Sequence, residues 1–131
     1  MKSKIAGIFM ILAGVGFLVS LAAHVASIFR LSLFPTEPWF LHIGIFVVWL
    51  PAVLYSQSLA KEFPQKQMWR AVLRGCPKPM QYILYGLFAY AFLNFFVFAV
   101  NTPGEPVSSS TTIRGFSGHW LIFYYAAFAI L

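Results

Sequence analysis

The stretch "IAGIFMILAGVGFLVSLAAHVASIF", Ile5–Phe29, holds no Asp, Glu, Lys or Arg. It is longer than the ~20 residues that cross a hydrocarbon core roughly 30 Å thick. A backbone surrounded by lipid has no water to bond, so such a run folds as a helix. Lys2 and Lys4 before it, and Ser20-Leu21-Ala22 within it, give it the outline of a secretory signal. Signal h-regions span only ~7–15 apolar residues, so we read the segment as a retained span.

Three more apolar runs follow: Trp39–Ser58, which Pro51 is expected to kink, Met80–Val100, and Phe116–Leu131. The last is short for a span, and no polar anchor follows it, so a further C-terminal tail is expected. The expected fold is all-α: a polytopic membrane protein, with a bundle of four transmembrane helices at about 5–29, 39–58, 80–100 and 116–131. Together they make one transmembrane domain over residues 1–131.

Composition agrees. Sixty per cent of the residues are hydrophobic and 9% are charged, against about 25% charge in soluble domains. A soluble core of this size could not hide so much apolar surface. The net charge of +6 lies between apolar runs rather than on one soluble face, so it points to membrane orientation and not to nucleic acid. Lys2, Lys4, Lys61, Lys66, Arg70, Arg74 and Lys78 flank one side; Arg30 and Arg114, with Glu37 and Glu105, flank the other. The positive-inside rule places the N-terminus and the 59–79 loop in the cytoplasm of an inner (plasma) membrane protein. The loops at 30–38 and 101–115 then face the periplasm or exterior.

In "QKQMWRAVLRG", Lys66, Arg70 and Arg74 recur every four residues. A short cytoplasmic interfacial helix is expected there, with Met68, Trp69, Val72 and Leu73 dipping toward the acyl chains. Gly75, with Pro77 and Pro79, would stop it. Cys76, the single cysteine, excludes an internal disulfide and reads as an inert thiol rather than an acylated or redox-active one. "NTPGEPVSSSTTIR", from Asn101, reads as a flexible connector.

The polar residues inside the spans are few. At 1.5 Å per residue, His24 lies roughly 10 Å, His42 roughly 9 Å and Asn94 roughly 6 Å from the midplane. All three lean toward the outer side, and His119 opens the fourth helix from that side. In the first helix, Gly16, Ser20, Ala23 and Ser27, extended by Ala6 and Ala13, form a small-residue stripe suited to close helix approach. His24 borders that stripe and should face protein. Tyr90 and Asn94 share a helix face. Two facing imidazoles could ligate haem b, or three could hold copper or zinc. No local spacing such as His-x-x-x-His accompanies them.

"GFSG", Gly115–Gly118, resembles the Gly-x-Ser-Gly nucleophile motif of the rhomboid intramembrane proteases, in which the serine also starts a helix. The resemblance covers four residues and implies a serine hydrolase with Ser117 as nucleophile. His119 is rotated ~200° from Ser117 on a helix, so His24 or His42 would have to serve as base. No carboxylate lies in the spans to orient either. The competing reading makes Ser117 a helix N-cap, with Gly115 and Gly118 in a tight turn and Trp120 in an aromatic belt.

The 15 phenylalanines, many in Tyr85–Val100, suit contact with lipid, pigment, quinone or partner helices. The functional expectation is a non-catalytic accessory, assembly or stabilising subunit of a larger membrane complex, with the lipid bilayer and other membrane subunits as partners. The alternatives are a haem b- or copper/zinc-binding redox subunit using His24, His42, His119 and Asn94, and a small solute transporter. Only Pro51 hints at the broken helix a transporter uses.

Overall fold

The computed structural model describes residues 3–29, 31, 33–36, 38–61, 63–101 and 109–131. Every regular element among them is helical. They are α1 (Ser3–Ile28), α2 (Trp39–Ala60), a 3-10 turn at Gln65–Gln67, α3 (Met68–Val72), α4 (Lys78–Asn101) and α5 (Ser109–Ile130). Helices α1, α2 and α4 are each long and apolar enough to cross a membrane. Arg30, Glu37, Glu105 and Lys2, which entered the charge balance, lie outside the described residues.

The first three spans agree with their sequence limits to within two residues at each end. Helix α2 runs unbroken through Pro51. The fourth differs. Helix α5 starts at Ser109, seven residues before Phe116, so part of the expected connector is helix. Its early turns are too polar to register as a hydrophobic run. Tertiary contact stabilises them instead: Ile113 is 3% exposed.

Helix α5 is the centre of the bundle and packs against α1, α2 and α4. Its buried face reads Ile113, Ser117, Trp120, Tyr124, Ala127, the i, i+4, i+7, i+11, i+14 spacing of one helical stripe. The small-residue stripe of α1 meets it as expected, with Ala13, Ser20, Ala23 and Ser27 all buried. Tyr124 is the joint of three helices. Its hydroxyl donates to the Leu41 carbonyl of α2 at 2.8 Å. A Cβ added at Gly16 of α1 would run into its ring, and one at Gly44 of α2 into its hydroxyl. Two glycines on two helices thus make room for one tyrosine.

The interfacial helix is shorter than expected, and α3 ends at Val72. Val72 and Leu73 turn inward and are buried, while Met68 and Trp69 are exposed. The wall after α3 is held by Gln81, whose side-chain amide donates to the carbonyls of Leu73 (3.2 Å) and Cys76 (2.7 Å). Gly75 lies outside the left-handed region, so the helix ends without the glycine stop the sequence suggested.

Candidate functional site

The polar groups gather where the C-terminal end of α1 meets the first half of α5. Nδ1 of His24 lies 2.5 Å from Oγ of Ser117, and Nε2 is bonded to the Tyr90 hydroxyl of α4. One imidazole therefore links three helices. A neutral ring has one N–H and one bare nitrogen. Either Ser117 donates to Nδ1 while Nε2–H donates to Tyr90, or both directions reverse. Both ring nitrogens are satisfied in either case. The His24 carbonyl also accepts a bond from Ser27 Oγ at 2.7 Å. His24 is 4% and Ser117 0% exposed, so the bonds lie in a dry setting where an unpaired partner would be costly.

Ser117 is not the N-cap suggested by the sequence. It sits two turns inside α5, with its side chain turned to α1. Trp120 is not a belt residue either. It is buried, and its indole N–H donates to Nδ1 of His42 at 3.3 Å. Asn94 ties α4 to α5 by donating to the Arg114 carbonyl at 3.0 Å. Helices α4 and α5 come together at Gly118, where an added Cβ would stand 3.3 Å from both the Ala91 Cα and the Asn94 amide nitrogen.

The three histidines share a level along the bundle, at residues 117–120 of α5, as the depth count predicts. They do not form one cluster: His42 and His119 both lie against Phe116, and His24 stands apart from them on α1. His24 faces Ser117 and Tyr90; His42 lies between α2 and α5 against Trp120 and Phe116; His119 meets the edge of Phe95 on α4. Among the described residues no group of three or more His, Cys, Asp or Glu side chains could hold a metal ion. Haem ligation through His24 would first require a ring nitrogen to leave Ser117 or Tyr90. Among the described residues, Nδ1 of His119 is buried without a hydrogen-bond partner, as is Oγ of Ser20.

Ser117 and Tyr124 carry more of this architecture than sequence reasoning assigned them. The available signal was the Ile113, Ser117, Trp120, Tyr124 periodicity, which runs back past the apparent start of the apolar run. A cavity of about 530 Å³ lies at the far end of the bundle, between the ends of α2 and α5 and the turn after α3. It shares no residue with the histidine region. Comparison of the chain with protein-family models, with curated proteins and with solved structures gives no match.

Proposed function

We propose that the chain is a non-catalytic membrane subunit that stabilises or assembles a larger complex through α4. In this reading α1, α2, α4 and α5 all span an inner (plasma) membrane, with the N-terminus and the 59–79 loop in the cytoplasm. The observation that carries it is the imbalance of α4. It packs chiefly on α5, and 11% of its apolar window is buried, against 17% for α1 and 22% for α2. Its free side carries Tyr82, Tyr85, Phe88, Phe92 and Phe96, all exposed, at successive steps of three and four residues. Rigid aromatic side chains along one helix face give a partner helix large contact area at small entropic cost. His24, Ser117, Asn94 and Trp120 support the same reading, because their polar groups are spent on bonds between the chain's own helices.

Photo-crosslinking from α4 tests it. A benzophenone amino acid at Phe92 should give one discrete protein adduct in native membranes, and one at Ile11 of α1, equally lipid-facing, should give none. The same partner should co-purify stoichiometrically and be lost in Phe92→Ala. A monodisperse single chain, with lipid adducts alone at both positions, would overturn the reading.

The His24–Ser117 contact favours a second reading, a serine hydrolase in which His24 accepts the Ser117 proton. A nucleophile needs its base within hydrogen-bond reach, and here it has one. Substrate must also reach the hydroxyl, and Ser117 is fully buried within a helix. The structural reading of the pair is therefore placed first. Labelling of Ser117 by a fluorophosphonate in the folded protein would reverse that order.

A further inference from the structure

The 530 Å³ cavity at the other end of the bundle has the size of a small-molecule site, roughly 300–1,000 Å³. Its wall is divided by chemistry. Leu59, Phe63, Val72 and Ile130 supply apolar surface, and Arg74 stands at its exposed side, with its guanidinium 6.0 Å from the Phe63 ring centroid. Among the described residues, no acidic side chain lines it. The surrounding 59–79 loop holds Lys61, Lys66, Arg70, Arg74 and Lys78 against one acid, Glu62, which lies outside the described residues. The cavity adjoins the C-terminal ends of α2, one of the long apolar helices, and of α5, where an acyl chain along α2 would pass into a headgroup. The wall is also pinned: Gln81 holds the turn that carries Arg74 and Gly75.

We propose that this cavity is a binding site for one anionic glycerophospholipid, with the headgroup phosphate at Arg74 and an acyl chain against Leu59, Phe63 and Ile130. Guanidinium binds phosphate through paired, charge-assisted hydrogen bonds. A basic segment at a membrane boundary is drawn to anionic lipid in general. The cavity turns that diffuse attraction into one defined site. This inference is independent of the role proposed for α4.

Native mass spectrometry on the full chain, delipidated in maltoside detergent, tests it. Titration with phosphatidylglycerol should saturate a first site at one lipid per chain, with phosphatidylcholine about tenfold weaker. Arg74→Gln should weaken phosphatidylglycerol at that site about tenfold, the loss of one charge-assisted contact. Arg70→Gln removes the same charge from the exposed face of α3, outside the cavity lining, and should leave the first site unchanged. Gly75→Leu adds a side chain where the space beyond Cβ is open; it should reduce binding of both lipids. Inorganic phosphate and glycerol 3-phosphate should not displace the lipid. Equal weakening by Arg70→Gln and Arg74→Gln would show a diffuse basic surface and overturn the proposal. So would equal affinity for the two lipids, or displacement by free phosphate.

Discussion

Helices α4 and α5 lie side by side and invert the soluble-protein rule. Helix α4 is one of the long apolar helices and is mostly exposed; α5 opens with a polar half and is mostly buried. In water this arrangement would fail, because burial follows apolarity. In lipid, apolar side chains gain little by leaving solvent, and helices associate through close packing and polar bonds. Glycine, serine and histidine inside, with phenylalanine outside, is the arrangement such a solvent favours. The pair teaches that hydropathy here reports contact with solvent, whereas contact with protein is marked by small and polar residues.

The largest expected effect comes from filling the space that lets α5 sit at the centre. Gly16→Leu would drive a side chain into the Tyr124 ring, which is fixed from below by Gly44 and by the Leu41 carbonyl. Overpacking typically costs about 1–3 kcal/mol and occasionally more. We expect the upper end, with loss of monodispersity on gel filtration. A leucine at Gly7, where nothing stands within 4 Å of an added Cβ, should leave the protein unchanged. If both variants behave alike, the close approach of α1 to α5 is not what holds the bundle.

The next effect concerns the bonds that the polar half of α5 supplies. Ser117→Ala leaves Nδ1 of His24 buried and unpaired. In water-soluble proteins that costs about 1–3 kcal/mol, while measured interhelical bonds in membranes average about 0.6 kcal/mol. Because Ser117 is fully and His24 almost fully buried, we expect roughly 1–2 kcal/mol. Tyr90→Phe removes a hydroxyl from a side chain that is itself 40% exposed and should cost about 0.5 kcal/mol. The two should be non-additive, because both act through one ring. Reversible unfolding in mixed micelles reads all three values. Strict additivity would mean that His24 does not bridge the three helices.

Much of this contrast could be read from residues alone. The apolar runs mark the limits of α1, α2 and α4 because a long segment without charge is what a helix able to cross a membrane requires. The α1 stripe ending at Ser27 and the inward turn of His24 followed from small residues at helical spacing. The depth count put the three histidines at one level because antiparallel spans rise by a fixed step. What could not be read was lateral: which face of α5 meets which neighbour. Ser117, at the edge of a polar stretch, looks the same whether it caps a helix or sits two turns within one. That choice depends on α1 and α4, separate helices, lending packing to a segment with little apolarity of its own. The same ignorance of lateral position explains why the level of His24, His42 and His119 was legible and the separation of His24 from the other two was not.

A smaller effect is expected on the exposed side of the comparison. Phe92→Leu on α4 should change the stability of the isolated chain by no more than about 0.5 kcal/mol, as for surface positions generally, since it faces outward at 67% exposure. The same substitution should lower recovery of the proposed partner several-fold in co-purification. A large loss of intrinsic stability would mean that the α4 aromatic face packs within the chain, and the difference between α4 and α5 would close.

The smallest effect is chemical and lies outside the spans, at the turn that joins α3 to α4. Cys76 is buried there, and burial pushes its thiol above the ordinary range. The thiolate is the reactive form, so maleimide labelling of the folded chain at neutral pH should be slow. On raising the pH, the rate should climb at more alkaline values than for the unfolded chain. The sign follows from the acid's neutral form being the one favoured on folding. That stabilisation is complete below the unfolded pKa and fades as pH rises toward the folded one. Gln81→Ala, which frees the carbonyls of Leu73 and Cys76, should loosen the turn and speed labelling without moving the α5 network. If labelling of the native chain is already as fast as in denaturant, this turn does not shield the thiol. The wall proposed for the lipid cavity would then lack the rigidity that the Gln81 bonds imply.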